Sequence, residues 1–246
     1  MRPRSRNFAD GKQLAIVEDF KIASNTTSPD EMRAGVQPAQ QLMLATALTA
    51  LAGFLDAVAF IALNHVYVSF MSGNSTRLGI SIASGDAGNT MSLALVVIAF
   101  VLGTCSGTWL SENKTGRATL LILTAETSTL FGAWLFASSG QLVSSLVLIA
   151  AAMGMQNCLH QLVGGADVGK GFITGALFGL GQALARAASG PSHWRTAGSN
   201  FLSWGAFVVG AAVGVMVLHR TGTSTCIGLT FAFALGILTA KRFRVL

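Results

Sequence analysis

The sequence predicts an all-α, polytopic integral membrane protein folded as a bundle of helices. Hydrophobic residues make up 52% of the 246 residues and charged residues only 11%, whereas soluble domains carry roughly 25% charged residues. Long uncharged windows recur along the chain, and a helix needs about 20 apolar residues to cross a bilayer. The windows lack the alternation of apolar and polar residues that is typical of membrane β-strands. We therefore expect the lipid bilayer as the main partner and no nucleic acid.

Residues 1–39 precede the first apolar window and differ from it in kind. They hold six basic and five acidic residues and no apolar run of signal-peptide length. The sequence predicts a polar cytoplasmic tail followed by a transmembrane domain over residues 40–246.

Eight hydrophobic segments follow, six of them strong and two weak. The strong windows cover residues 42–63, 91–110, 118–136, 142–163, 201–218 and 224–240. The weak windows, 68–84 and 172–188, contain more Gly, Ser, Thr and charge. The chain is therefore expected to cross the membrane six, seven or eight times.

The chain also repeats itself, as many transporters do. "GFLD" at 53–56 aligns with "GMQN" at 154–157, "SGNSTRLG" at 72–79 with "TGALFGLG" at 174–181, and "FVLGTCSG" at 100–107 with "FVVGAAVG" at 207–214. The three blocks keep their order and nearly keep their spacing. We predict two repeats, residues 40–139 and 140–246, each containing one short polar segment that is discontinuous or re-entrant.

Small residues at matched positions of the two repeats predict close helix packing. A Gly-x-x-x-Gly pair puts two positions without a side chain on one helix face, so another backbone can approach closely. The expected packing residues are Gly53, Gly103, Gly107, Gly154, Gly210 and Gly214.

Charge placement favours six crossings, with the two weak segments entering the membrane and returning. Lys and Arg are enriched in cytoplasmic loops. Six crossings put these basic groups on the cytoplasmic side: Lys114, Arg117, Lys170, Arg195 and the final "KRFR". Only Arg220 then falls outside. Three crossings precede the second repeat, so we expect inverted repeats whose short polar segments enter from opposite faces.

Those short segments are the strongest indication of function. Polar backbone at membrane depth is tolerated only where it is buried in protein or lines a wet cavity. Half-helices beginning near Ser72 and Thr174 would aim unpaired amides and partial positive charge toward the membrane centre. The candidate pathway residues on these segments are Ser72, Gly73, Asn74, Thr76, Arg77, Thr174 and Gly175.

"GFLDAVAF" followed by "FMSGNSTRLG" resembles the pattern of the YoaK-like family of bacterial inner-membrane proteins. The family hallmark is Gly-x-x-Asp-Ala followed by a Thr-Gly-Asn block. The matching positions are Gly53, Asp56, Ala57, Gly73 and Asn74, then Gly154, Asn157, Thr174 and Gly175, with Ser72 where the family usually has Thr. The resemblance covers residues 42–240 and implies a multispanning protein of the bacterial plasma membrane. It implies no particular chemistry, because the family is a domain of unknown function.

Two carboxylates, Asp56 and Glu126, lie deep in apolar windows. A charge at the bilayer centre costs about 2.5 to 3.5 kcal/mol on insertion scales, so such residues face a partner or water and often mark a pathway. Proton-coupled carriers use acids of this kind. The alternative is a carboxylate that only pins helices together, for example Asp56 paired with Arg77.

Other polar residues leave similar alternatives open. Arg77 is suited to contact an anion, to repel cations, or to reach the interface. Asn64 shares a face with Asp56 if that helix continues. Asn157, His160 and Gln161 share a helix face, where His160 is suited to a proton relay or to an interhelical hydrogen bond.

These observations favour a membrane transporter or channel for a small polar or anionic solute, with proton coupling as an option. The alternative is a non-transporting membrane scaffold or sensor whose polar residues only join helices. An enzyme is disfavoured, because the motifs contain no nucleophile, metal site or cofactor site, although Asp56 with His160 is suited to acid-base work. A homo-oligomer is compatible with the sequence.

Overall fold

The computed structural model of the protein describes residues 38–113, 117–168 and 173–243. In these residues the chain forms eight α-helices and no strand, so the predicted all-α class is confirmed. The helices are α1 (Pro38–Ala62), α2 (Met71–Ala83), α3 (Ala87–Asn113), α4 (Ala118–Ser138), α5 (Leu142–Val168), α6 (Ile173–Ala185), α7 (Pro191–Thr221) and α8 (Thr223–Arg242). Nearly all of the predicted N-terminal tail lies outside the described residues.

Six of these helices, α1, α3, α4, α5, α7 and α8, are long and apolar enough to cross a bilayer. The other two, α2 and α6, have 13 residues each. Thirteen residues span roughly 20 Å at 1.5 Å per residue, which is less than the roughly 30 Å hydrocarbon core. The predicted multispanning bundle is confirmed, and the two weak windows form its short helices.

Tight turns join several of the helices. Gly140 and Gly222 have φ of 78° and 84° between α4 and α5 and between α7 and α8, a conformation that glycine adopts without a steric cost. At the end of α1, Asn64 and His65 also have positive φ, 57° and 59°. Asn64 was expected to share a helical face with Asp56 only if that helix continued, and this condition is not met, because α1 ends at Ala62 and the chain turns away.

A buried apolar core lies between α1, α3, α4, α5 and α8. Its fully buried members include Leu55, Val96, Leu130, Ile149 and Met153. Large apolar side chains are exposed on the outside of the bundle, for example Leu102, Phe178, Val209 and Met216. Apolar side chains on both surfaces of a helix are expected where one surface faces protein and the other faces lipid.

Glycines bring α1 and α7 into direct backbone contact. A Cβ added to Gly53 would overlap the carbonyl oxygen of Phe207, and one added to Gly210 would overlap that of Ala50. Gly214 lies against the same face of α1. Only residues without a side chain allow this separation.

The pair α3 and α5 is joined in the same manner. A Cβ on Gly154 would overlap the carbonyl oxygen of Phe100, and one on Gly103 would overlap that of Ala151. At Gly107, an added Cβ would lie 2.8 Å from the Cys158 sulfur. The six glycines singled out in the sequence thus all lie at helix–helix contacts.

Candidate functional site

A cavity of about 740 Å³, which we call the main cavity, lies where the N-terminal ends of α2 and α6 meet α1, α5 and α7. Four of the predicted pathway residues line it: Asp56, Ser72, Asn157 and Thr174. Ser72 and Thr174 are each the second residue of a short helix. Both polar interruptions of the sequence therefore meet at one cavity.

Asp56 is buried, with 2% of its surface exposed, and it holds the chain that leads into α2. Its Oδ1 accepts hydrogen bonds from the backbone amides of Val68 and Ser69, both at 2.7 Å. Its Oδ2 accepts a hydrogen bond from the Ser69 hydroxyl at 2.6 Å. These donors offset the cost of burying the carboxyl group. No ion pair joins Asp56 to Arg77 in the described residues, so the pairing with Arg77 is wrong, although the donors of Val68 and Ser69 give Asp56 a structural role.

The same hydrogen bonds fix the position along α1 at which α2 begins. Asp56 lies six residues before the end of α1 at Ala62, which is roughly 9 Å along the helix at 1.5 Å per residue. The chain leaves α1 and returns to the level of Asp56 at Ser69. It then runs back along α2 toward the C-terminal end of α1, where Arg77 Nη2 donates to the Asn64 carbonyl at 3.1 Å. The segment thus folds back along α1 as a loop and returns as α2.

Asn74 provides a second attachment inside this segment. Its Nδ2 donates to the Tyr67 carbonyl at 2.6 Å and its Oδ1 accepts from the Tyr67 amide at 2.9 Å. The side chain is completely buried. One amide side chain thereby satisfies both backbone groups of a residue in an irregular loop, which buried backbone requires.

The short helix α6 runs along α1 in the direction opposite to α2, toward the N-terminal end of α1. Thr174 and Leu177 line the main cavity beside Asp56. One turn later, Gln182 lies in a second cavity together with Leu42, near the N-terminal end of α1. Thus α2 and α6 begin at the same cavity and end at opposite ends of α1.

The α5 wall of the main cavity contains a polar group that sequence reasoning missed. Gln156 is 2% exposed, its Nε2 donates to the Leu48 carbonyl at 3.0 Å, and its Oε1 has no hydrogen-bond partner among the described residues. Asn157, the next residue, also lines the cavity. The signal in the sequence was the pair of adjacent amides, of which only Asn157 aligned with Asp56 of the first repeat.

Several predicted residues are not brought to this site. Those outside its lining are Asn64, Gly73, Asn74, Thr76, Arg77, Glu126 and Gly175. The side chains of His160 and Gln161 lie outside the described residues. Across the part of the chain that the structure covers, no three His, Cys, Asp or Glu side chains come together as they would around a metal ion.

Glu126 lies in a different environment, on α4 where that helix packs against α5 and α8. It is 1% exposed, and neither carboxyl oxygen has a hydrogen-bond partner among the described residues. Ile122 and Leu130, one turn away on either side, are fully buried. The two carboxyl groups that the sequence paired as candidates therefore differ, since Asp56 is hydrogen-bonded and lines the main cavity, whereas Glu126 does neither among the described residues.

The comparisons with known proteins place the chain in a family. The family described as "Protein of unknown function (DUF1275)" matches residues 44–240. The UPF0700 transmembrane protein RA0705 of Rhizobium meliloti (strain 1021) is 30% identical over 183 residues, which cover 74% of this chain and 77% of that protein. No solved structure matches. The match spans nearly the whole membrane domain and confirms the predicted resemblance, so this multi-pass membrane protein belongs to the DUF1275 family.

Proposed function

We propose that the protein is a membrane transporter or channel for a small polar or anionic solute, which binds in the main cavity. The observation that carries the proposal is the meeting of two short helices, one from each half of the chain, at a cavity with a buried carboxyl group. Discontinuous helices that meet near the middle of the membrane are typical of the substrate sites of transporters.

The size and lining of the main cavity support solute binding. Small-molecule sites have volumes of about 300 to 1,000 Å³ and mostly apolar walls with a few polar groups. Here Phe60, Met153 and Phe207 supply apolar wall, and Gln156 supplies a polar group. A buried acceptor without a partner costs about 1 to 3 kcal/mol. A donor group of a solute, or a water molecule, would remove this cost once the Gln156 side chain turns its Oε1, now closed off from solvent, toward the cavity.

The packing of the two halves supports an inverted repeat. Gly53 lies against Phe207, and Gly154 lies against Phe100. In the sequence alignment Gly53 matches Gly154 and Phe100 matches Phe207. The two contacts are therefore equivalent under exchange of the halves, as expected for two repeats that pack around a pseudo-twofold axis. Such an arrangement allows one half to rock against the other about the shared cavity.

Basic residues support a cytoplasmic N-terminus in the bacterial plasma membrane. If α1 runs outward, the cytoplasmic ends of the helices carry these described basic residues: Arg117, Arg186, Arg195, Lys241 and Arg242. Only Arg77 and Arg220 then lie toward the other side. This distribution follows the enrichment of Lys and Arg in cytoplasmic loops.

A non-transporting scaffold or sensor is the second candidate, and one observation favours it. Both oxygens of Asp56 and both polar atoms of Asn74 are occupied by groups of their own chain. These residues would then only hold the fold together.

Flux into proteoliposomes separates the two candidates. Stopped-flow light scattering reports swelling for any permeating solute, so urea, glycerol, formate, acetate and phosphate can be screened without labels.

Ala211→Phe would fill the main cavity, whereas Ala212→Phe, the exposed neighbour on α7, is the matched control. We expect protein-dependent flux of at least one solute that Ala211→Phe abolishes and Ala212→Phe preserves. Equal flux in both variants, or no flux above empty liposomes for every solute, would refute the proposal. Repeating the active case with an imposed pH gradient tests proton coupling.

A further inference from the structure

A second cavity of about 390 Å³, which we call the polar cavity, opens at one end of the bundle. It lies between the N-terminal end of α1, the C-terminal end of α6 and the first turns of α7. Gln182 of α6 and Arg186, which directly follows α6, are exposed at its mouth, whereas Thr49 of α1 and Asn200 of α7 are buried at its inner end. The cavity thus leads from an exposed rim into the protein.

Its lining is rich in hydrogen-bond donors and carries positive charge. Arg186 and His193 both line it, and none of its described lining residues is Asp or Glu. Asn200 is 6% exposed, and its Nδ2, which is itself closed off from solvent, has no hydrogen-bond partner among the described residues, so the side chain must turn for this donor to reach an anion in the cavity. A buried amide donor without a partner is costly. A guanidinium group and an unused amide at the wall of one cavity are the groups that recognise an oxyanion.

The polar cavity and the main cavity follow one another along the same three helices. Thr49 lines both of them. On α6, Leu177 belongs to the main cavity and Gly179 to the polar cavity; on α7, Phe207 belongs to the first and Ser203 to the second. A solute that enters the polar cavity would therefore pass Thr49 to reach the main cavity.

We propose that the polar cavity is a binding site for a small oxyanion, with Arg186 and Asn200 as its principal ligands, and that it is the entrance to the main cavity. The role as an entrance rests on the proposed transport function, whereas anion binding does not. Asp56 does not oppose an anion here, because it lines the other cavity and its oxygens are bonded to Val68 and Ser69.

The oxyanion could be a free solute or the phosphate of a lipid headgroup, and the experiment separates these sources. The full-length protein is placed in nanodiscs of phosphatidylcholine alone, or of phosphatidylcholine with phosphatidylglycerol. Binding of radiolabelled inorganic phosphate is measured by equilibrium dialysis at constant ionic strength, with acetate and sulfate as competitors. The variants are Arg186→Gln and Asn200→Asp, and Arg195→Gln is the control because Arg195 is exposed on α7 but does not line the cavity.

In phosphatidylcholine nanodiscs we expect saturable phosphate binding, weakened at least tenfold by Arg186→Gln and changed less than twofold by Arg195→Gln. Asn200→Asp puts a like charge beside the anion and should abolish binding. Because Arg186 is exposed, its variant is expected to fold even if Asn200→Asp does not. If phosphatidylglycerol suppresses phosphate binding equally in the wild type and in Arg195→Gln, its headgroup competes at the polar cavity. This result would identify a headgroup as the natural ligand and would support the site.

Equal effects of the Arg186 and Arg195 substitutions, or no saturable binding in either nanodisc, would overturn the inference. These results are distinguishable from failure of the transport proposal. Anion binding that depends on Arg186 without flux of any solute would leave the site standing and refute transport. Flux that Ala211→Phe blocks and Arg186→Gln leaves unchanged would support transport and refute the role of the polar cavity as its entrance.

Discussion

The two short helices, α2 and α6, have equal length and begin at the same cavity, yet they are held by different interactions. Side-chain hydrogen bonds fix α2 and its approach at several points, among them Asn74 to Tyr67 and Ser81 to the Asp86 carbonyl. Within the described residues, no side chain of α6 forms a hydrogen bond. Its buried residues are instead small, namely Ala176, Gly179 and Ala183, and it packs along α7.

This difference indicates which half of the site is free to change. A polar network resists displacement because each bond that breaks leaves a buried group unsatisfied. Contacts between small apolar residues can slide with a smaller loss, and elements that move are drawn from the less strongly held parts of a fold. We therefore expect α2 to be the fixed wall of the main cavity and α6 the wall that moves.

The largest expected effect is at the anchor of α2. Asp56→Ala removes the acceptor for three donors of Val68 and Ser69, and we expect it to lower the free energy of unfolding by about 3 kcal/mol or more. Asp56→Asn keeps one carbonyl oxygen for the two amides and should cost less than half as much. Apparent melting temperatures in detergent measure both. Equal losses would show that charge, and not hydrogen bonding, is what Asp56 supplies.

A second pair of substitutions compares the two helices directly. Asn74→Ala leaves the Tyr67 amide and carbonyl without their partner, so we expect a loss of about 1 to 3 kcal/mol. Gln182→Ala on α6 breaks no hydrogen bond between described residues, so its effect on stability should be within about 0.5 kcal/mol. If Gln182→Ala destabilised the protein as much as Asn74→Ala, the contrast between a fixed and a movable helix would be lost.

Smaller effects are expected at open glycines. Gly79 on α2 and Gly181 on α6 have no atom within 4 Å of the position that a Cβ would take. Alanine is favoured over glycine in a helix by about 0.5 to 1 kcal/mol. Both Gly→Ala variants should therefore match or exceed the wild-type melting temperature, whereas Gly53→Ala should lower it because of the overlap with Phe207. A fall in melting temperature at Gly181 alone would reveal a tight contact of α6.

The smallest effect concerns Asp86, in the turn between α2 and α3. The Asn89 backbone amide and then its side-chain amide donate hydrogen bonds to this carboxylate, which lowers its pKa below the ordinary value of 3.8. Because the folded-state pKa is the lower one, the stabilisation is complete above pH 3.8 and is lost as the pH falls through the folded-state value. Asp86→Asn resembles the protonated residue, so it should remove this acid-dependent component and lower the melting temperature slightly at neutral pH but not at pH 3. Melting curves between pH 3 and pH 7 test it.

The sequence predicted the helices of this protein better than it predicted the contacts between their residues. Apolar windows located all six long helices, and the polar windows located α2 and α6, because membrane insertion depends on the average character of a segment. The partner of Asp56 was not predictable, since Ser69 reaches it only after the chain leaves α1 and returns. The end of α1 before Asn64 was not predicted, because a helix end inside a polar stretch has no strong sequence signal.

The polar cavity was missed for a related reason. Thr46, Gln182, Arg186 and Asn200 are separated by up to 154 positions along the chain, from 46 to 200. Each of them alone is an ordinary polar residue near a helix end. Only the crossing of α6 against α1 and α7 brings them together, and no local pattern encodes that crossing.

The central claim, that α2 and α6 meet at one water-filled cavity, is best tested by cysteine accessibility. Ser72→Cys and Thr174→Cys are each introduced after Cys105, Cys158 and Cys226 have been replaced, and Ala133→Cys, at a fully buried position, is the control. The account predicts that a charged, water-soluble thiol reagent labels both cysteines at the cavity and not the control, and that Ala211→Phe slows labelling at both. Labelling at neither position, or at one position without sensitivity to Ala211→Phe, would contradict it.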